Sequence, residues 1–263
     1  MKNFLRLSVL AALTLTGTAA FAADECAKIT ATGHPQYPVI AFKEGGDNIA
    51  GAAPMLVEAI GKDLKIPLES KYMGTWADAQ AAARDGKADM IFGIYYNDER
   101  ATYLDYVEPA FVFDPVVVFV AKGKEFAFTS QDDLIGKKGI TNQGESYGND
   151  FDAFIKDKLD VARADGIDDA FKDLLDGKAD YLIAGYYPGT AEAGVQGIKD
   201  KIVPLEPALL SAEMFVAFSK KSPCRTLAPQ FGEGIAAMTT DGRFHTMLTD
   251  AMKTWDAAQS SRQ

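Results

Sequence analysis

The sequence predicts an α/β protein of two lobes of similar topology, each a mainly parallel sheet flanked by helices, with the chain passing between them twice. Three observations carry this. Strand-like and helix-like segments alternate along the chain, the grammar of layered α/β structure. The five residues Asp85-Gly86-Lys87-Ala88-Asp89 recur unchanged as Asp176-Gly177-Lys178-Ala179-Asp180, each copy after a helix and before an apolar strand, with a tyrosine pair at the same offset, Tyr95-Tyr96 and Tyr186-Tyr187. A late strand is followed by a purely helical tail that carries the second of two cysteines, Cys26 and Cys224.

The elements follow in order. Residues 28–32 read as the first strand. Met55, Leu56, Ala59, Ile60 and Leu64 recur at helical spacing with Gly61 tolerated inside. Residues 68–72 form the next strand. Thr75 caps a helix through Arg84 that Gly86 ends, and the apolar run 88–94 is a buried strand. The pattern then repeats: a strand at 138–141, helices at 147–159 and 168–175, a strand at 179–184. A late strand at 213–219 precedes helices at 224–238 and 241–257. The helical tail needs a sheet to cover. A bond from Cys224 to Cys26 would return it to the first lobe and place crossings near residues 111–115 and 209–214, a hinge able to open and close a cleft.

The first residues read as an address. Lys2 and Arg6 precede an apolar run over 7–15, and Ala20-Phe21-Ala22 fits the A-x-A cleavage pattern. The run is too short to anchor in a bilayer, and Cys26, after Asp24-Glu25, does not resemble an acylation site. Residues 1–22 are therefore expected to be a signal peptide directing the chain to the periplasm. Residues 23–112 with 210–263 are expected to form one lobe and 113–209 the other. In an exported chain an even pair of cysteines suggests one disulfide, against the alternative of two unpaired thiols. The formal net charge is −10, which argues against nucleic acid as a partner because phosphate binding needs clustered lysine and arginine. With two histidines, His34 and His245, and no close-spaced cysteine or histidine pair, no metal site and no cofactor are expected.

In open α/β sheets, ligands bind beyond the carboxyl ends of the strands. Those ends carry residues 93–97 and 185–188, and residues 144–148 lie between a strand and a helix start, where free N–H groups favour anions.

Asn97-Asp98-Glu99-Arg100-Ala101, then Leu104-Asp105-Tyr106 and Glu108-Pro109-Ala110-Phe111, resemble the T-x-E-R, v-D-F and P-y-f signature of the periplasmic amino-acid-binding proteins that serve ABC importers. Asp133-Leu134-Ile135-Gly136-Lys137-Lys138 resembles that family's step into its second lobe, and Lys122 and Phe218-Ser219-Lys220 also fit. The resemblance implies a monomeric, non-enzymatic protein of two-lobed periplasmic-binding-protein fold. It would take a small ligand and dock transiently on a membrane permease. Arg100 would clamp the ligand carboxylate, consistent with a guanidinium's paired donors. Tyr37 matches an aromatic wall, Trp76 either a second wall or packing inside its lobe, and Ser146 a hydroxyl on the carboxylate. Three departures stand out. Gly93 and Tyr95 replace small hydroxyl residues, leaving backbone contacts at Gly93. Pro38-Val39-Ile40 loosens an apolar-aromatic pair. Gly185 stands where the acid gripping an α-ammonium belongs. If Glu145 faces the cleft it replaces that acid; if it faces solvent the ligand lacks an α-amine and is walled by Tyr37, Trp76, Tyr95 and Tyr186.

Rival readings come from the same turn. Gly144-Glu145-Ser146-Tyr147-Gly148 is formally G-x-S-x-G, the setting of a serine hydrolase with His245 as base; a helix N-cap that binds an anion is the plainer reading. Glu145 could serve as the acid of a dehydratase-like enzyme on the same scaffold. A sensor lobe would need an adjoining signalling domain.

Overall fold

A computed structural model describes residues 26–260; the expected signal peptide lies outside them. The elements are β1 (Ile29–Gly33), β2 (Gln36–Tyr37), β3 (Ala41–Gly45), β4 (Asn48–Ala50), α1 (Ala52–Asp63), β5 (Leu68–Ser70), α2 (Trp76–Asp85), β6 (Met90–Tyr95), α3 (Asp98–Ala101) and β7 (Leu104–Ala121). Then come β8 (Lys138–Asn142), α4 (Asn149–Lys158), β9 (Asp160–Ala164), α5 (Ile167–Leu175), β10 (Tyr181–Gly185), α6 (Tyr186–Val195), β11 (Ile202–Pro204), β12 (Leu210–Ser219), α7 (Ala228–Thr240) and α8 (Arg243–Ser260).

The strands run in the order β5-β1-β6-β12-β7-β10-β8-β9, with β11 also on β7. Away from the crossing strands the pairing is parallel: β5, β1 and β6 at one end, β10, β8 and β9 at the other. The long strands β7 and β12 join the two sets and pair antiparallel with each other and with β6 and β10. Leu104 to Val107 lie beside Ser219 to Val216 in the first set, and Val112 to Val116 lie beside Met214 to Leu210 where the chain passes into the second. The α/β architecture is thus as the sequence predicts, with mixed rather than mainly parallel pairing. β2, β3 and β4 make a separate antiparallel sheet, which the periodicity did not announce because its strands are short.

The repeated pentapeptide does the same work twice. Oδ2 of Asp89 accepts from the N–H of Thr30, and the N–H of Asp89 donates to the carbonyl of Thr30. Oδ2 of Asp180 accepts from the N–H of Lys138, and the N–H of Asp180 donates to the carbonyl of Lys138. Each aspartate thereby pins the start of a parallel strand and satisfies backbone groups the ladder leaves over.

Local chemistry sets the helices. Thr75 and Asp78 form a capping box at the head of α2, and Gly86 closes it in the left-handed conformation. α1 buries Leu56, Val57 and Ile60. Cys26 is bonded to Cys224 in the 3-10 turn Pro223–Leu227 ahead of α7, which brings the N-terminal segment to the helical tail as expected.

Candidate functional site: a cleft between the lobes

Arg100 sits on the four-residue helix α3, whose N-cap Asn97 accepts its backbone N–H. The side chain is 3% exposed and every branch of the guanidinium is bonded. Nε donates to Gln80 Oε1 at 3.0 Å, Nη1 to the Tyr95 carbonyl at 2.9 Å, and Nη2 to the Gly144 carbonyl at 2.9 Å. Gly144 belongs to the turn between β8 and α4, so Arg100 reaches from one lobe to the other. Gln80 Nε2 donates to the same carbonyl at 3.1 Å, and Asn97 Nδ2 donates to Ser146 Oγ on that turn.

Ser146 does not cap α4. Its hydroxyl donates to Asp152, and the N–H of Tyr147 donates to Asp152 Oδ1 at 2.8 Å. Asp152 thus gathers the donors of the turn, and the helix starts at Asn149, two residues later than the spacing predicts, with Gly148 at the N-cap position and no side-chain cap. The hydrolase reading fails on this geometry. Ser146 is held by Asn97 and Asp152, and His245 is an exposed residue of α8, so the turn has no serine–histidine pair.

Glu145 faces the cleft. Its Oε1 lies 3.1 Å from Nε2 of His34, which follows β1 in the opposite lobe. Nδ1 of His34 accepts the N–H of Gln36 at 2.9 Å, so in the neutral ring the proton is on Nε2 and points to Glu145. Asn142 Nδ2 approaches the same nitrogen at 3.2 Å. The imidazole is 4.9 Å from the ring of Trp76.

A second polar cluster lies deeper. Oδ2 of Asp114, on β7, accepts from the hydroxyls of Tyr37 and Tyr95, which also touch each other. Burial pushes the Asp114 carboxyl up to about 6; the hydroxyls oppose this and the charge of Glu145 adds to it. Burial likewise pushes Tyr37 and Tyr95 well above the ordinary phenol range. Gly185 abuts the cluster: a Cβ there would lie 2.2 Å from Asp114 Oδ2 and 2.4 Å from the Tyr37 hydroxyl.

Between the lobes remains a cavity of about 20 Å³, lined among others by His34, Tyr37, Tyr95, Glu145, Tyr147 and Gly185. That is room for one water. Arg100 and Ser146 line a separate, wider depression of about 370 Å³, with Arg84, Arg163 and Glu145.

Arg100, Tyr37, Tyr95, Glu145 and Ser146 therefore converge on the lobe junction. Trp76, 3% exposed, packs with Ala79, Ala83 and Ile91 and backs His34 rather than the cavity. Gly93 has φ +70° and is skipped in the register between β6 and β12, where Ile94 pairs Phe215 and Phe92 pairs Val216; its permissive backbone serves a bulge. Tyr186 opens α6, is 37% exposed and pairs with Tyr187 at 5.5 Å, while its neighbours Gly185 and Pro188 line the small cavity. The sequence reading missed His34 and Asp114. Asp114 had a signal, as the one charge in Phe111-Val112-Phe113-Asp114-Pro115-Val116-Val117-Val118-Phe119.

Residues 29–253 match the family model of bacterial extracellular solute-binding proteins, family 3. No curated protein sequence matches. Among solved structures, a mutant of ArgBP from T. maritima shares 23% identity over 89% of this chain and 100% of its own, with a TM-score of 0.72. A histidine kinase sensor domain with similarity to periplasmic binding proteins shares 21% over 87% and 97%, TM-score 0.72. The arginine-, lysine-, histidine-binding protein ArtJ from Geobacillus stearothermophilus shares 20% over 87% and 94%, TM-score 0.68. At such identities these structures establish the shared two-lobed fold, and the family match spans most of the sequence: the chain belongs to the bacterial extracellular solute-binding proteins, family 3.

Proposed function

We propose that this protein is a monomeric periplasmic carrier that closes its two lobes on a small carboxylate-bearing solute, an amino acid or close relative, and delivers it to a membrane ABC importer. Residues 23–112 with 210–263 would form one jaw and 113–209 the other. The observation that carries the reading is Arg100, a buried guanidinium at the strand ends of one lobe whose Nη2 meets the backbone of the Gly144 turn in the other. On opening, the Gly144 carbonyl withdraws and frees Nη2 to donate to a ligand carboxylate, a charge-assisted bond. The family supports a binding role, and the cleft between crossing strands supports closure.

Native mass spectrometry of the purified protein, followed by calorimetry with the molecules released, tests this. A co-purifying amino acid or related carboxylate that rebinds the refolded protein is the expected result. Recovery only of neutral solutes such as sugars, with no carboxylate binding, would sink it.

A further inference from the structure

We infer that the groove along the crossing strands is a second binding site, separate from Arg100, and that it takes a small organic ammonium ion with an aromatic or apolar body.

The groove has a volume of about 640 Å³, the size of a small-molecule site. All three parts of the fold build it. Tyr96 and Phe215 come from the first lobe, Gly148 and Phe151 from the start of α4 in the second, and Phe113 with residues 209–213 from the crossing itself. Phe113 is 59% exposed and Tyr96 is 45% exposed, so two large rings stand bare in a concave setting, the mark of an interaction site. The Tyr96 ring is held in place. It lies 5.0 Å from Tyr106, which meets Phe215 edge-on at 5.5 Å and donates its hydroxyl to the Tyr95 carbonyl at 3.0 Å. One wall is therefore a fixed aromatic row.

The charges choose the occupant. Asp150 and Glu213 line the groove, and no lysine, arginine or histidine does. Among the described residues neither acid is in an ion pair. Glu213 lies directly opposite Phe113 in the antiparallel pairing of β12 with β7, and both are exposed, so carboxylate and ring stand side by side on one face. A cation over an aromatic face is attracted by the ring quadrupole, and the adjoining carboxylate supplies the opposite charge. Asp150, in the first turn of α4, adds negative charge from the other lobe. Leu209, Leu210 and Phe151 offer apolar surface to the body of the ion. An anion would meet like charge here. A bare metal ion fits poorly, since among the described residues no three metal-ligating side chains come together. Tyr95 and Tyr147 line both this groove and the small cavity of the cleft, but recognition of the ammonium uses neither Arg100 nor the carboxylate reading above.

The test is a ligand-observed NMR titration of the protein with benzyltrimethylammonium and with neutral benzyl alcohol, in wild type, Phe113→Ala and Glu213→Gln. Both substitutions fall on exposed side chains and leave the core as it is. Wild type should bind the ammonium with a Kd of about 1 mM or tighter, and the alcohol about 10-fold more weakly or less tightly still. Each substitution should weaken the ammonium about 3- to 30-fold, and Glu213→Gln should narrow the gap between ammonium and alcohol. An ammonium bound no more tightly than the alcohol overturns the inference. So does an affinity that either substitution leaves unchanged, which would place the ion elsewhere. Neither result bears on carboxylate capture at Arg100.

Discussion

The hydroxyl of Tyr95 donates to Oδ2 of Asp114 across 2.7 Å, in a place where neither meets water freely. Tyr37 shares the same oxygen, so three oxygens meet around two phenolic protons. Both hydroxyls favour the charged carboxylate; burial outweighs them and, with Glu145 adding to it, lifts the group to about 6 from an ordinary 3.8.

The sign of the pH dependence follows. Between about 4 and about 6 the folded chain holds a proton on Asp114 that the unfolded chain has lost. Stability therefore falls as pH rises through that window and stays lower above it. Asp114→Asn removes the titration, and at pH 7.5 without ligand it should stabilise the protein by on the order of 3 kcal/mol. The difference should fade near pH 4. Denaturant midpoints at the two pH values measure it; a variant equally stable or weaker at pH 7.5 would show that Asp114 is not strained by burial.

Arg100 is both a binding and a structural group, since Gln80, Tyr95 and Gly144 all accept from it. Arg100→Lys keeps the charge and loses the planar fork. Ligand affinity should fall about 30-fold or more. The ligand-free protein should lose about 1–3 kcal/mol, because buried acceptors are left unpaired. Calorimetry and urea unfolding read the two effects separately, and retention of full affinity would remove Arg100 from the site.

These two residues also mark how far the sequence could be read. Arg100 was legible through the resemblance of Asn97-Asp98-Glu99-Arg100-Ala101 to the family signature, a local motif on a short helix that Asn97 caps. The pentapeptide repeat was legible for the same reason: Asp89 and Asp180 each act on one neighbouring strand. Asp114 was not, because its meaning depends on Tyr37, Tyr95 and Gly185, which lie 77, 19 and 71 positions away in the chain and meet only when β7 crosses between the lobes. His34 was hidden likewise, its partner Glu145 lying on the other lobe. At Tyr186 the repeat copies a tyrosine whose strand ends one residue sooner in the second lobe, so the residue starts α6 instead of ending a strand.

The Cys26–Cys224 bond joins residues 198 positions apart. Its removal frees the N-terminal segment from the helical tail in the unfolded chain. Cys26→Ser with Cys224→Ser should cost roughly 2–5 kcal/mol, and reducing agent should lower the melting temperature of wild type but not of the double variant. Thiol titration of unfolded, unreduced protein should find no free thiol; two reactive thiols would contradict the bond.

Trp76 can report whether the cleft opens. A methyl at Gly144, in the opposite lobe, would sit 3.4 Å from Trp76 Cδ1, so the turn that covers Arg100 also covers the indole edge. The second tryptophan, Trp255, packs 5.0 Å from Phe42, and Trp255→Phe leaves Trp76 as the sole emitter. A cavity of about 20 Å³ cannot admit an amino acid without separation of the lobes. The Trp255→Phe protein without ligand should therefore emit at longer wavelength and be quenched by acrylamide. Saturating ligand should shift the emission to the blue and protect it, as closure returns the Gly144 turn over the ring. Emission and quenching unchanged by a ligand that calorimetry shows to bind would mean that binding does not move the lobes.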